Sequence, residues 1–188
     1  MKEVINMYKK PTLDLGEEHG GIMLMMQIMK KIAIRLLDGK EVRREDLSKV
    51  VEFLVNFADK CHHGKEEDIF FPKLVKTTSN KKLVNMLVGE HKTGRDFIRG
   101  IVESFKKYKA GNPDAIHIAV NIEGYVQLLT EHIRKENTIL FPIADKELPT
   151  KIQEKMAKEF ERFEKNVIGA GKHEEFHGWL KELSQTYL

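Results

Sequence analysis

The chain has 188 residues, 41% hydrophobic and 32% charged, enough apolar material for a packed core and no run long enough for a membrane span. Lysine plus arginine exceed aspartate plus glutamate by only 32 to 29, and the charges are interspersed, so no nucleic-acid footprint is expected. One cysteine, Cys61, excludes a disulfide framework and any cysteine-rich zinc or iron–sulfur site, which leaves eight histidines as the oddity of the composition.

Apolar residues recur at alternating spacings of three and four, the helical period, and no run alternates in the manner of a strand, so the fold class is all-α. The first helix is expected over 14–38, opened by a capping-box-like pair, Asp14 and Glu17, and closed by Gly39. The second covers 43–71 and ends or kinks at Pro72; the third covers 80–110 and stops at Gly111. Asn112 and Pro113 read as N-cap and first residue of the fourth, which reaches Phe141 and Pro142. A fifth helix starts near 150 and a short sixth covers 172–187. Four long helices with short connections predict an antiparallel up-down-up-down four-helix bundle over about 14–146. Helices of 150–188 pack on its outside, within a single domain over 1–188. The apolar stretch 22–26 follows Glu17, Glu18 and His19 rather than a basic segment. No targeting segment is read there, and the expected location is cytoplasmic, with no membrane partner.

The chemistry sits in a half-chain repeat. CHHGKEEDIFFP, from Cys61 to Pro72, aligns without gaps to EHIRKENTILFP, from Glu131 to Pro142. Both read H-x-x-x-E followed by a proline, and each is preceded by a helix carrying a Glu-His pair, Glu18-His19 and Glu90-His91. The apolar stripes run Leu15, His19, Ile22, Met26, Met29, Ala33; Val51, Leu54, Ala58, His62, Glu66, Ile69; Val84, Leu87, His91, Gly94, Ile98; and Ile118, Ile122, Tyr125, Leu129, His132, Glu136, Ile139. A lone histidine on such a stripe is usually a hydrogen-bonded core residue. Four imidazoles and two carboxylates on matched positions of two copies are not, because burying them unpaired costs several kcal/mol and a metal centre pairs them together.

The doublet His62-His63 requires a choice. One residue turns an α-helix by about 100°, which puts His63 on a face with Asn56, Asp59 and Glu67 and predicts that it is solvated. The repeat, anchored on its prolines, also selects His62 and Glu66. The metal ligands are therefore His19, His62, Glu66, His91, His132 and Glu136. This set exceeds one tetrahedral zinc and suits two metals about 3–4 Å apart with bridging carboxylates. Nitrogen-rich mixed coordination with open positions favours iron, with manganese or zinc as substitutes.

His19, His62-x-x-x-Glu66, His91 and His132-x-x-x-Glu136, with HHGKEEDIFFP and ENTILFP, resemble the hemerythrin-like (HHE) cation-binding domain over about 14–146. The resemblance implies two iron ions, oxo- or hydroxo-bridged, that bind dioxygen or a related diatomic such as nitric oxide, for sensing, storage or scavenging. The alternative it leaves open is a di-iron oxidoreductase acting on peroxide or nitric oxide, or in iron–sulfur centre repair. A signalling or redox partner protein is the expected partner in the sensing case. In oxygen-carrying hemerythrins the third helix bears two histidines four apart; here Arg95 stands four after His91, and Glu136 replaces a differently spaced aspartate. Both departures weigh against reversible oxygen carriage.

Around these residues, Gly20, Gly21, Gly64, Gly89 and Gly94 are candidates for close helix approach, and Met26, Met29, Phe70 and Leu140 are read first as core. Glu18, Glu90 and Glu131 adjoin ligand histidines as candidate outer acceptors, with solvation as their default. Cys61 is read as buried. His173 and His177 form an i,i+4 pair on a solvated helix, and His117 lies off its stripe.

Overall fold

The computed structural model describes residues 9–108, 113–169 and 171–188. Among them every regular element is helical, so the chain is all-α, and no helix is long and apolar enough to cross a membrane. The first rod, α1 (Pro11–Leu37), starts ahead of its apparent capping box: Lys10 is the N-cap and Pro11 the first helical residue, where a missing N–H is no loss. Asp14 pairs with Lys9 at 2.8 Å instead. Gly39, at φ 68°, takes the left-handed conformation that closes the helix.

The second rod is continuous but changes its winding. α2 (Arg44–Glu52) passes into a π-wound stretch (Phe53–His63), then through Gly64 and Lys65 into a second (Glu66–Phe70), and on into α3 (Phe71–Thr77). The third rod is α4 (Lys81–Lys107). The fourth joins α5 (Pro113–Lys135), a π turn (Glu136–Leu140) and α6 (Phe141–Glu147). The expected stop and cap at Gly111 and Asn112 lie outside the described residues. α7 (Thr150–Val167) and α8 (Lys172–Tyr187) follow.

Neither Pro72, where an end or a kink was expected, nor Pro142 ends its helix. An interior proline removes a donor and crowds the carbonyl four residues back. Here each proline follows a π turn in which the preceding Phe reaches one residue further, Phe71 N–H to the Glu66 carbonyl and Phe141 N–H to that of Glu136. That local widening accommodates the ring. It also moves the buried stripe: Leu140 is buried and Ile139, expected inside, is 42% exposed. In the first copy Phe70 is the fully buried residue, with Ile69 only half-buried.

α4 and α5 run antiparallel, with Gly94 against Tyr125, Phe97 against Gly124 and Gly100 against Asn121. A Cβ at Gly124 would fall 2.4 Å from the Phe97 ring, so the missing side chain is what lets these helices approach. α7 and α8 lie against the π-wound second rod and α1, with Phe163 over Gly64 and Leu180 over Gly21.

Among the described residues, two apolar clusters fill the interior. One holds α1 from Ile22 onward, the second rod up to Ala58, α4 from Ile98, α5 up to Ile133, and Phe176, Leu180 and Leu183 of α8. The other holds Leu15, Phe70, Phe71, Val84, Leu87, Leu140 and Phe141, with Met156 and Phe160 of α7. On all four rods the break between the clusters falls where the stripe turns polar, at His19, at 62–66, at His91 and at 132–136. Met26, Met29, Phe70 and Leu140 belong to these clusters, as core.

Candidate metal centre

The polar layer brings all six expected residues together. His19, His62, Glu66 and Glu136 offer ligand atoms that lie within 4.8 Å of one another, and so do His63, Glu66, His91 and His132. Glu66 is common to both groups. His19 Nε2 and His132 Nε2 each stand 3.2 Å from Glu136 Oε2, and His91 Nε2 stands 3.4 Å from Glu66 Oε2. His91 Nε2 and His132 Nε2 face each other at 3.0 Å. All of these residues are at most 1% exposed.

His63 corrects the sequence reading. It is buried, not solvated, and its ring stacks on that of His91 with centroids 3.9 Å apart. The expectation assumed about 100° of turn per residue. The π winding that reaches His63 turns less per residue and broadens the inward face, so that Cys61, His62 and His63 are buried in succession.

Outer partners fix the ring orientations. His62 Nδ1 donates to Glu18 at 2.8 Å, His91 Nδ1 to Glu67 at 2.7 Å and His132 Nδ1 to Glu90 at 2.9 Å. Since a carboxylate only accepts, a proton sits on each of these Nδ1 atoms. Burial disposes His62 and His91 to the neutral form, so their Nε2 turns a lone pair inward, whereas Glu136 and Glu90 dispose His132 to hold a second proton on Nε2. His19 Nδ1 pairs with Asn137 Oδ1 at 2.8 Å. Cations hold the carboxylates in turn: Lys65 on Glu18, Lys135 on Glu90, and Arg95 on both Glu67 and Asp59. Phe71 stacks on His91 and Phe141 on His19, so the residue before each proline backs an imidazole. Glu18 and Glu90 thus act as acceptors, whereas Glu131 is exposed and bonds Arg134. Sequence reasoning missed Glu67, Asn137 and Asp59; the signal was present in the repeat, which aligns Glu67 with Asn137 directly after the two inner glutamates.

The electrostatics leave the centre short of positive charge. Burial lowers the His62 imidazole to about 4, against the pull of Glu18. Burial and the neighbouring imidazoles push His63 well below its usual range. Burial and the facing Glu136 carboxylate drive Glu66 upward, toward its protonated form. For His132 burial works downward, but Glu136 and Glu90 prevail and raise it to about 9. Among the described residues, both oxygens of Glu66 and Glu136, together with His19 Nε2, are buried without a hydrogen-bond partner. A cation among them satisfies all of these groups at once, and imidazole with carboxylate is a donor set for iron, manganese or zinc. These residues fit a metal.

Away from this layer, Cys61 is buried and its thiol is pushed up to about 12 by burial. His173 and His177 line a separate cavity of about 250 Å³ with Asp14, Glu17 and Glu164.

A family model of the hemerythrin HHE cation binding domain matches residues 11–144. Uncharacterized proteins of Mycobacterium bovis and of two Mycobacterium tuberculosis strains are 23% identical to the chain over 130 residues. The match covers 69% of this chain and 51% of each relative, so the chain spans about half their length. No solved structure matches.

Proposed function

The chain belongs to the hemerythrin family of HHE cation-binding domains, and from that premise we propose that it is a non-haem di-iron protein that binds dioxygen or a related diatomic such as nitric oxide, for sensing, storage or scavenging. In this reading the four rods form one antiparallel up-down-up-down bundle. His19, His62, Glu66, His91, His132 and Glu136 hold two iron ions, and α7 and α8 form an outer layer of the same domain. Bound iron supplies open coordination positions and electrons for the diatomic ligand.

The observation that carries the reading is the layer of orphaned carboxylate oxygens and inward imidazole nitrogens, enclosed on both sides by apolar clusters. The chain's own residues do the rest. Glu18, Glu67, Glu90 and Asn137 hold the Nδ1 protons and keep the Nε2 atoms aimed inward. The apolar clusters exclude bulk water, which strengthens every electrostatic contact between them.

The test is anaerobic purification, a count of iron per chain, and visible spectra before and after air or nitric oxide, with peroxide consumption followed in parallel. Two irons per chain and a ligand-dependent visible band are expected. Rapid peroxide turnover without a stable band would move the protein to the oxidoreductase alternative. A chain that takes up only one ion would end the di-iron reading.

A further inference from the structure

We infer that His173 and His177 of α8, with Glu164 of α7, form a second metal site for one zinc-like divalent ion, outside the polar layer and independent of it. The segment His173-Glu174-Glu175-Phe176-His177 has the H-E-x-x-H spacing, which on a helix sets two imidazoles on one face and suits zinc.

Three observations carry the assignment. First, the pair is helical and its rings are neighbours, with centroids 4.7 Å apart. Among the described residues these imidazoles touch each other and, from His173, the Phe57 ring at 5.6 Å; neither makes a hydrogen bond or an ion pair. His62, His91 and His132, by contrast, are each tied through Nδ1. Second, the pair opens on the cavity of about 250 Å³ that the carboxylates of Asp14, Glu17, Glu18 and Glu164 line. Lys9 and Lys65 are the cations paired with these carboxylates. Four carboxylates against two ammonium groups leave a formal excess of two negative charges, which draws and then neutralises a divalent ion. Third, Glu164 is the least engaged of the four. Lys9 holds Asp14 at 2.8 Å and Glu17 at 2.7 Å, and Glu18 is shared by His62 and Lys65. Glu164 has only Lys65, at 3.7 Å, and Lys65 keeps Glu18 and Asp14 if Glu164 turns to a metal. Two imidazoles and a carboxylate are a three-ligand zinc set that leaves the fourth position to water. These ligand atoms are not gathered within 4.8 Å as those of the polar layer are. Glu164 is 31% exposed and His177 is exposed, so both have room to turn. Glu174, which in a zinc hydrolase would act as base on a metal-bound water, is exposed and does not line the cavity. No hydrolytic step is therefore assigned, and the ion joins α7 to α8.

The test uses the untagged full chain, loaded anaerobically with iron and then titrated with zinc against a chromophoric chelator of known affinity, with iron counted before and after. One further zinc per chain is expected in the wild type. The double variant His173→Ala, His177→Ala should lose that event or weaken it by at least about tenfold, the loss seen when even an outer partner of a ligand is removed, with its iron count unchanged. Glu164→Gln should weaken the same event by about tenfold or more. No further zinc in the wild type, or an unchanged titration in the double variant, overturns the site. Loss in the double variant with none in Glu164→Gln overturns the cavity assignment and leaves a surface chelate of two histidines. His177→Ala, at an exposed position, carries the test with the same outcomes where the double variant does not fold. A chain that takes up no iron defeats the proposed function, whereas the difference in zinc between wild type and variants still decides this site.

Discussion

On one side of the centre, Lys65 and Glu18 hold His62 beneath α7 and α8; on the other, Lys135 and Glu90 hold His132 near solvent. The residue types and order are the same, but Lys65 and Glu18 are 0% and 4% exposed, while Lys135 and Glu90 are 17% and 19% exposed. Their partners differ accordingly. Lys65 has Glu18, Asp14 at 3.2 Å and Glu164 at 3.7 Å, with the Phe160 ring 5.4 Å away. Lys135, partly exposed, pairs with Glu90. A charge removed from water must be paired by protein groups or it destabilises the fold. The covered copy therefore recruits Asp14 from α1 and Glu164 from α7, and these ties fasten the outer helix to the centre.

The largest expected effect breaks the covered triad. Glu18→Ala leaves a buried ammonium with two longer contacts and should cost the metal-free protein about 3 kcal/mol, the scale of a buried pair that loses one partner. Glu90→Ala should cost about 1 kcal/mol or less, because its triad is reached by solvent. Urea unfolding of both variants checks this, and equal losses would mean that cover by α7 and α8 does not distinguish the copies. Lys65→Met should be the next most damaging, at about 2 kcal/mol, since Glu18 keeps only its bond to His62. Adding Glu18→Gln to Lys65→Met should recover part of that loss, as replacing both charges of a buried pair is tolerated better than removing one. Additive losses in the double variant would show that the two charges do not act as a pair.

Acid exposes the same asymmetry on a smaller scale. Burial alone would raise the Glu18 carboxyl, but the hydrogen bond from His62 and the charge of Lys65 outweigh it and hold it at about 2. A depressed carboxyl stabilises the fold fully above its unfolded value of 4.5, and the contribution is lost as pH falls toward 2. The stability advantage of the wild type over Glu18→Gln should thus be constant near neutrality and shrink below pH 4.5. An advantage independent of pH across that window would show that Glu18 acts by shape rather than by charge.

What could be read from the sequence follows from what periodicity encodes. The stripes of α1 and α4 are regular α-helix, and His19 and His91 fall inside where the three–four alternation puts them. On the second and fourth rods the same alternation points to His62, Glu66, His132 and Glu136 but fails beside them, at His63 and Ile139. There the chain is π-wound, and a reading that assumes 3.6 residues per turn drifts by a residue. The repeat did carry a warning: a proline at the same distance after both glutamates, inside a rod that continues to Thr77 or Glu147, requires a local change of winding in both copies. The cover over Lys65 had no local signal, because it comes from α7, far along the chain. Glu67, Asn137 and Asp59 sit on polar positions that a search for buried stripes passes over.

The smallest expected difference lies between the acceptors that orient His91 and His19. Glu67 presents a carboxylate to His91, and Asn137, at the aligned position, presents an amide oxygen to His19. A charged acceptor makes an imidazole a stronger donor to a metal than a neutral one does. Glu67→Gln retains a hydrogen bond and removes the charge, so it should weaken metal binding by a few-fold, below the roughly tenfold or greater loss expected when an outer partner is deleted. Asn137→Asp should act in the opposite sense on His19, tempered because Asn137 is exposed and water screens the added charge. Competition titrations against a chelator of known affinity measure both changes. If both substitutions weaken binding, the shape of the acceptor matters more than its charge, and the two copies differ in cover alone.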